Sequence, residues 1–299
     1  MYRIFYNPLS RSGKNQNVID EAKAILTKMN EEYKIESIIN ITDYRTFLEG
    51  IPLTDKLLII GGDGTMNFLV NFLYGIDIKH EIYFYGAGTG NDFVRNADTT
   101  NEFILINKYL IDLPIANADG IERRFINGAG MGLDAYVCEC VNKGRGKSAF
   151  QYKKNTIKGF LTYKKEDLKI IIDGEERDLK DVWLISIMNG KYQGGGMMFA
   201  PEAEIFDDYL DICLIKKYSR LKVLTLFPKI YKGKHTKYVE MIKCKEVKII
   251  SNKGSYVQLD GEVLSNVKEL HIKRKGWFSP FFNAFYLNLF CYRFSLFFY

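Results

Sequence analysis

Three aspartates carry the chemistry that this sequence offers, and each sits against glycine. Asp63 lies in Gly61-Gly-Asp-Gly-Thr65, Asp92 closes Gly86-Ala-Gly-Thr-Gly-Asn-Asp92, and Asp260 lies in Val257-Gln-Leu-Asp-Gly-Glu262. Glycine lets a backbone approach a phosphate with no Cβ in between, and N–H groups at a helix start attract an anion. A carboxylate beside a phosphate is repulsive, so Asp63 belongs there only with a divalent cation between the two. The competing reading of Asp63 is a tight turn that uses glycine for geometry alone. Asp92 has a second role open to it as the cap of a helix beginning near Phe93. Asp260-Gly261 taken alone is a common hairpin turn.

The elements that hold these residues follow from the apolar pattern. Leu57 to Ile60 are wholly apolar without alternation, as in a strand buried on both faces of a parallel sheet. The strand runs into the 61–65 loop and then a helix over 66–74 with Leu69, Phe72 and Leu73 on one side and Thr65 as its cap. Further strands are expected at Tyr2–Tyr6, Tyr33–Asn40 and Ile82–Tyr85. Helices are expected at Asn17–Met29, with Val18, Ala22, Ile25, Leu26 and Met29 inward, and at Asp43–Glu49. Alternating strands and helices imply a parallel α/β sheet, whose ligands bind at the carboxyl ends of the strands. Loops 7–14, 61–65 and 86–92 converge on that edge. The 86–92 loop fits the dinucleotide fingerprint poorly, because it follows the fourth strand and Asp92 would crowd a pyrophosphate. A shared magnesium network suits it better.

Past about Asp112 helical periodicity becomes rare. Strand-like runs appear at 124–127, 168–173, 182–188, 210–215, 246–250, 256–259 and 269–273, with helical stretches at 148–165 and 222–231. The fold class expected is therefore an N-terminal parallel α/β domain over 1–115, a mainly antiparallel, sandwich-like β domain over 116–275, and an aromatic tail over 276–299. A chain of 299 residues that is 47% hydrophobic suffices for two cores. Its five cysteines are odd in number and irregularly spaced, with no CxxC pair, and its three histidines are scattered. That pattern disfavours a zinc site or a disulfide framework and suits the reduced cytoplasm. The N-terminus has no signal-peptide apolar core.

Six motifs occur in order: Gly61-Gly-Asp-Gly-Thr65, Gly88-Thr-Gly-Asn-Asp-Phe93, Phe125-Ile-Asn-Gly-Ala-Gly-Met-Gly-Leu-Asp-Ala135, Gly194-Gly-Gly-Met-Met-Phe-Ala-Pro201, Asp207-Asp-Tyr-Leu-Asp211 and Asp260-Gly-Glu262. The ordered set resembles the diacylglycerol kinase catalytic-domain family, which includes bacterial lipid kinases and sphingosine kinases, over about residues 2–275. The resemblance implies transfer of the γ-phosphate of ATP to a lipid hydroxyl, in a cleft between two domains. It implies nucleotide contacts at Asn7, Pro8, Leu9, Ser10, Arg11, Thr42, Gly62, Asp63, Gly64, Thr65, Met66, Asn67, Phe68 and Thr89. Asp260 matches the general base, with Glu262 closing the nucleotide site. Glu204, Asp207 and Tyr209 match a structural Mg2+ site, linked through water to Asp63 and Asp92. Three positions depart from the family pattern: Phe68 replaces a glutamate, Arg11 a glycine, and Asp208 a glycine. The first two put the nucleotide preference in doubt.

Residues 143–165 and 216–237 each carry eight Lys or Arg and no acid, with aromatic residues interleaved. These stretches suit an anionic membrane surface or, equally, a solvated basic face. Nucleic acid is not expected as a partner, since no recognition motif accompanies the charge. The tail, Trp277 to Tyr299, has Arg293 as its only charge and is interrupted by Pro280, Asn283 and Asn288, which favours an interfacial position over a membrane span. The expectation is a cytoplasmic, peripherally membrane-associated lipid kinase with a homodimer as an option. The rivals are an NAD kinase-like phosphotransferase, which shares the Gly-Gly-Asp-Gly loop, and a non-catalytic lipid or nucleotide sensor.

Overall fold

The computed structural model describes residues 1–6, 16–37, 44–97, 99–143 and 149–274. The chain divides into two compact units, with the boundary between Ile111 and Asp112. In the first unit the elements alternate: β1 (Tyr2–Tyr6), α1 (Gln16–Lys28), β2 (Tyr33–Ser37), α2 (Tyr44–Glu49), β3 (Lys56–Gly61), α3 (Asp63–Phe72), β4 (Ile82–Gly86), α4 (Asp92–Ala97) and β5 (Ile104–Leu105). The sheet order is β2-β1-β3-β4-β5. β2, β1, β3 and β4 are mutually parallel, and only the short β5 runs antiparallel. The central β3 is buried from Leu57 to Gly61, as its unbroken apolar run requires.

Two expectations for this unit are corrected. Met29 lies past the end of α1 and is exposed, while Val18, Ile19, Ala22 and Leu26 form the buried stripe. Thr65 is not the cap of α3. The helix starts two residues earlier, Gly62 is its N-cap without a side-chain bond, and Thr65 is buried in the first turn.

The second unit contains β6 (Ile115–Ala118), β7 (Ile121–Arg124), β8 (Gly128–Gly132), α5 (Leu133–Asn142), α6 (Ala149–Thr162), β9 (Glu166–Ile172) and β10 (Glu175–Met188). β11 (Tyr192–Gln193), β12 (Met197–Met198), β13 (Leu210–Lys216), α7 (Arg220–Ile230), β14 (Glu240–Cys244), β15 (Glu246–Leu259) and β16 (Glu262–Lys273) follow. Nine of these strands form one antiparallel sheet. β8 and β9 both pair with β10 and with β15, so they fill the same gap end to end. One core is drawn from this sheet and its connections alone, including Ala129, Met131, Ile170, Ile185, Ile212, Ile249, Val257 and Leu270, which means that the sheet curls over its own inner face. A second core joins the outer face to the helices through Leu133, Phe160, Trp183, Phe199 and Leu226.

Of the expected strand at 124–127, Arg124 ends β7 and 125–127 are the connection to β8. The runs at 246–250 and 256–259 belong to one strand, β15, whose pairing with β16 shifts register around Gly254.

Candidate functional site

In the first unit the two glycine loops meet through their backbones. A Cβ on Gly88 would lie 2.9 Å from the Cα of Gly62, and one on Gly61 would lie 2.4 Å from the Thr65 side chain. Ala87 N donates to Gly61 O at 2.7 Å and ties the loops together. These contacts exclude any side chain larger than hydrogen, which explains the glycines by close approach. The loops stand at the carboxyl ends of β3 and β4, the edge where open α/β sheets bind ligands.

Asp63 opens α3 and serves the other loop. Its Oδ1 accepts from the backbone N–H of Phe93 at 3.0 Å, with further backbone bonds from Asp92 and Asn91, so it caps the start of α4. Burial, opposed by these bonds but reinforced by the charge of Asp92, holds its carboxyl above the usual carboxylate range. Asp92 itself is buried in the first turn of α4. The capping role open to Asp92 therefore falls to Asp63, reached across the gap between the loops. A buried carboxylate with a second acid beside it is receptive to a divalent cation, and Asp63 and Asp92 fit that use.

Met66 and Asn67 are buried behind the loop, and Gly64 and Thr89 are exposed on it. Phe68 stacks on Phe72 one helical turn on, with ring centroids 5.3 Å apart. Phe68 thus forms an aromatic pair along α3. Asn7, Pro8, Leu9, Ser10, Arg11 and Thr42 lie outside the described residues.

In the second unit Asp260 and Gly261 form the two-residue turn between β15 and β16, with φ of +47° and +90°. Both values are positive, as an Asp-Gly hairpin turn requires. The carboxylate is held by three backbone donors. Oδ2 accepts from Ile126 N at 2.7 Å, and Oδ1 accepts from Asn127 N at 2.9 Å and Gly128 N at 3.1 Å. The hairpin and the charged site are therefore the same object. Behind it, Gln258 Oε1 accepts from Gly261 N at 2.9 Å and from Gln193 Nε2 at 2.9 Å, and Gln258 Nε2 donates to Asp134 Oδ2 at 3.1 Å. Burial pushes the Asp134 carboxyl up to about 6. Asp134 and Gln193 were not singled out from sequence, although both lie inside quoted motifs or next to one. Glu262 faces Arg123 of β7, 3.6 Å away.

The residues matched to a structural ion lie on the turn before β13. Among the described residues no group of three or more His, Cys, Asp or Glu is placed to hold a metal. Glu204 and Tyr209 are exposed, and Asp207 is bonded to Lys243 Nζ at 2.7 Å and to its own turn through Tyr209 N at 3.0 Å. Of the three residues matched to a structural Mg2+ by resemblance, Asp207 is thus the one whose side chain is held by a cation of this chain, Lys243.

Comparison with known proteins agrees with this architecture. Residues 1–119 match the model of the diacylglycerol kinase catalytic domain, and residues 128–272 match that of the YegS C-terminal NAD kinase beta sandwich-like domain. A diacylglycerol kinase of Mycobacterium tuberculosis is 32% identical over 198 residues, covering 63% of this chain and 63% of that protein. The chain thus spans somewhat less than two thirds of the length of that relative. A provisionally named lipid kinase of Bacillus subtilis, YtlR, is 28% identical over 230 residues, covering 70% of this chain and 74% of its own. The crystal structure of a diacylglycerol kinase from Bacillus anthracis superposes with a TM-score of 0.59 at 20% identity, over 91% of this chain and 93% of that one. At that identity the superposition speaks to the fold.

Proposed function

Because the chain belongs to the diacylglycerol kinase catalytic-domain family, we propose that it is a lipid kinase that moves the γ-phosphate of ATP to the hydroxyl of diacylglycerol or a related lipid. The observation that carries this reading is the Asp260 turn. Its carboxylate is held at a strand end by the N–H groups of 126–128, which fix its direction and supply positive potential to the anion. These bonds lower its basicity while fixing its direction, which suits a carboxylate that orients an attacking hydroxyl and receives its proton as transfer proceeds. The glycine loops suit the phosphates, with backbone N–H groups at the start of α3 facing the charge. Magnesium accompanies ATP in this reading, and Asp63 and Asp92 supply the negative charge that it would balance.

A membrane surface as the place of reaction is supported by α6 and α7. The two helices are joined by Arg220, which donates to Tyr163 O at 2.8 Å and to Phe160 O, and by the Phe160 and Phe227 rings 5.8 Å apart. Ile157 and Leu161 of α6 and Leu221 and Leu224 of α7 are all more than half exposed, with Lys154, Lys158 and Lys222 among them. Apolar side chains rimmed by lysine match the boundary of an anionic bilayer. Among the described residues no helix is long and apolar enough to cross a membrane.

The test is a phosphorylation assay with labelled ATP and magnesium, offering diacylglycerol and sphingosine in mixed micelles beside NAD in solution. Label on a lipid supports the proposal and label on NAD alone overturns it. Transfer to no acceptor would favour the sensor reading.

A further inference from the structure

The family resemblance puts a divalent ion at the turn between Glu204 and Asp211, and the oxygens there are already engaged by side chains of this chain. Lys243 of β14 stands directly across from Asp211 of β13 in the strand register. Its ammonium lies 2.7 Å from Asp207 Oδ2 and 3.8 Å from Asp211 Oδ2. The Tyr209 ring lies 5.6 Å from the same ammonium and 5.3 Å from that of Lys245. The exposed Glu204 adds its charge from a distance, and the bond to Asp207 raises the pKa of Lys243.

The backbone oxygens are gathered by a second cation. Arg274, just past β16, is buried and donates through Nε to Asp207 O at 2.8 Å. Its two terminal nitrogens donate to Ile205 O and Asp112 O. A guanidinium in this position presents several donors in one plane, so three carbonyls on two segments converge on it without a metal. Magnesium needs near-octahedral oxygen ligands at about 2.0–2.1 Å. An ion on Asp207 would compete with Lys243 for its carboxylate and with Arg274 for its carbonyl, and would be repelled by both.

We propose that Lys243 and Arg274 stand in place of the divalent ion at the 204–211 turn, so that this segment is held by the chain's own charges. The 204–211 segment then needs no magnesium to hold its shape. Asp207 is paired with an ammonium that also lies near Asp211 and whose stem is anchored in the neighbouring strand, and the carbonyls of 205 and 207 are bonded by a buried guanidinium. The proposal rests on the family assignment for where an ion would be sought, and not on kinase activity.

The experiment is thermal unfolding of the full chain without nucleotide, in EDTA and with magnesium chloride alone. The wild-type midpoint is expected to agree within about 1 °C between the two conditions, whereas an ion present at a hundredfold excess over its Kd would raise it by roughly 5 °C. Lys243→Met keeps the apolar stem and leaves Asp207 and Asp211 without their ammonium. That variant is expected to melt lower in EDTA and to recover by roughly 3–5 °C with magnesium, as an ion enters the vacated position. Equal magnesium shifts in wild type and Lys243→Met, whether large or nil, would overturn the proposal. Phosphoryl transfer is not the readout, so a chain inactive toward every lipid would leave this test unchanged.

Discussion

Asp260 and Gly128 clasp each other twice: Gly128 N donates to Asp260 Oδ1 at 3.1 Å, and Asp260 N donates to Gly128 O at 2.9 Å. The side chain proposed as a base is thereby also a staple between the β15–β16 turn and the start of β8. Its substitution has two consequences that different measurements separate. Asp260→Asn keeps the positive φ, which asparagine tolerates. The amide, however, cannot accept from donors on both of its arms. A stability loss of about 1–3 kcal/mol is expected from the donors left unpaired, together with a rate loss on the order of 10²–10⁴ from the missing base. Thermal melting reads the first and single-turnover phosphorylation, well below the midpoint, reads the second. A well-folded Asp260→Asn chain that turns over at the wild-type rate would remove Asp260 from the mechanism.

Asp63 likewise joins two elements, since it begins α3 and caps α4. Asp63→Ala should cost about 1 kcal/mol, as other lost caps do, and should weaken magnesium–ATP binding at the same time. Calorimetric titration of magnesium–ATP beside a melt tests this. A destabilised chain with unchanged nucleotide affinity and magnesium dependence would make Asp63 a cap and nothing more.

The first unit is the more legible in the sequence, because β3 is an apolar run between glycines and its neighbours repeat the pattern. The Asp-Gly hairpin at 260–261 could be read locally as well. Its second identity as a clamped carboxylate could not, since the donors at 126–128 lie more than a hundred residues away. α5 went unseen because Gly130-Met-Gly-Leu-Asp134 reads as turn, although the helix begins at Leu133. β15 read as two strands because Ser251-Asn-Lys-Gly254 resembles a loop, whereas Gly254 takes φ +77° inside a bulged strand. Glu204, Asp207 and Tyr209 are matched to an ion by resemblance, and nothing local shows that Lys243 and Arg274 reach Asp207 from 36 and 67 residues away. Spacing reports which groups share a turn and says nothing of the charges that tertiary folding brings to it.

Membrane contact through α6 and α7 predicts a mixed response. Leu221→Glu with Leu224→Glu should reduce binding to vesicles containing anionic lipid, by roughly 1.5–3 kcal/mol for each side chain that otherwise buries fully. Each lysine that reaches the surface should add about 1 kcal/mol that fades with salt. Co-sedimentation across a salt series separates the two parts. Wild type and double variant that bind alike at low salt would place membrane contact elsewhere.

The last prediction concerns Asp134, whose Oδ1 is cut off from solvent while Oδ2 receives Gln258, with the backbone of Ala135 only partly offsetting the burial. Burial raises its folded-state pKa from 3.8 to about 6. The sign follows from proton linkage. Between those two values the folded chain holds the proton that the unfolded chain has released, so stability falls as pH rises through this window, and above about 6 the whole cost is present. On the order of 1–3 kcal/mol is at stake at neutral pH, given a shift of this size on a single sealed carboxylate. Asp134→Asn has no such proton to lose. Its amide oxygen can take the place of Oδ2 toward Gln258, and its melting temperature should vary less than that of wild type between pH 4 and 7. The clean measurement is the difference between the two melting curves as a function of pH, since every other titrating group is common to both. Asp134→Asn should gain on wild type steadily as pH rises and level off above about 6. A difference that is flat across the range would mean that Asp134 meets solvent or a partner that keeps it ionised, and the buried network behind Asp260 would then be better solvated than its geometry indicates.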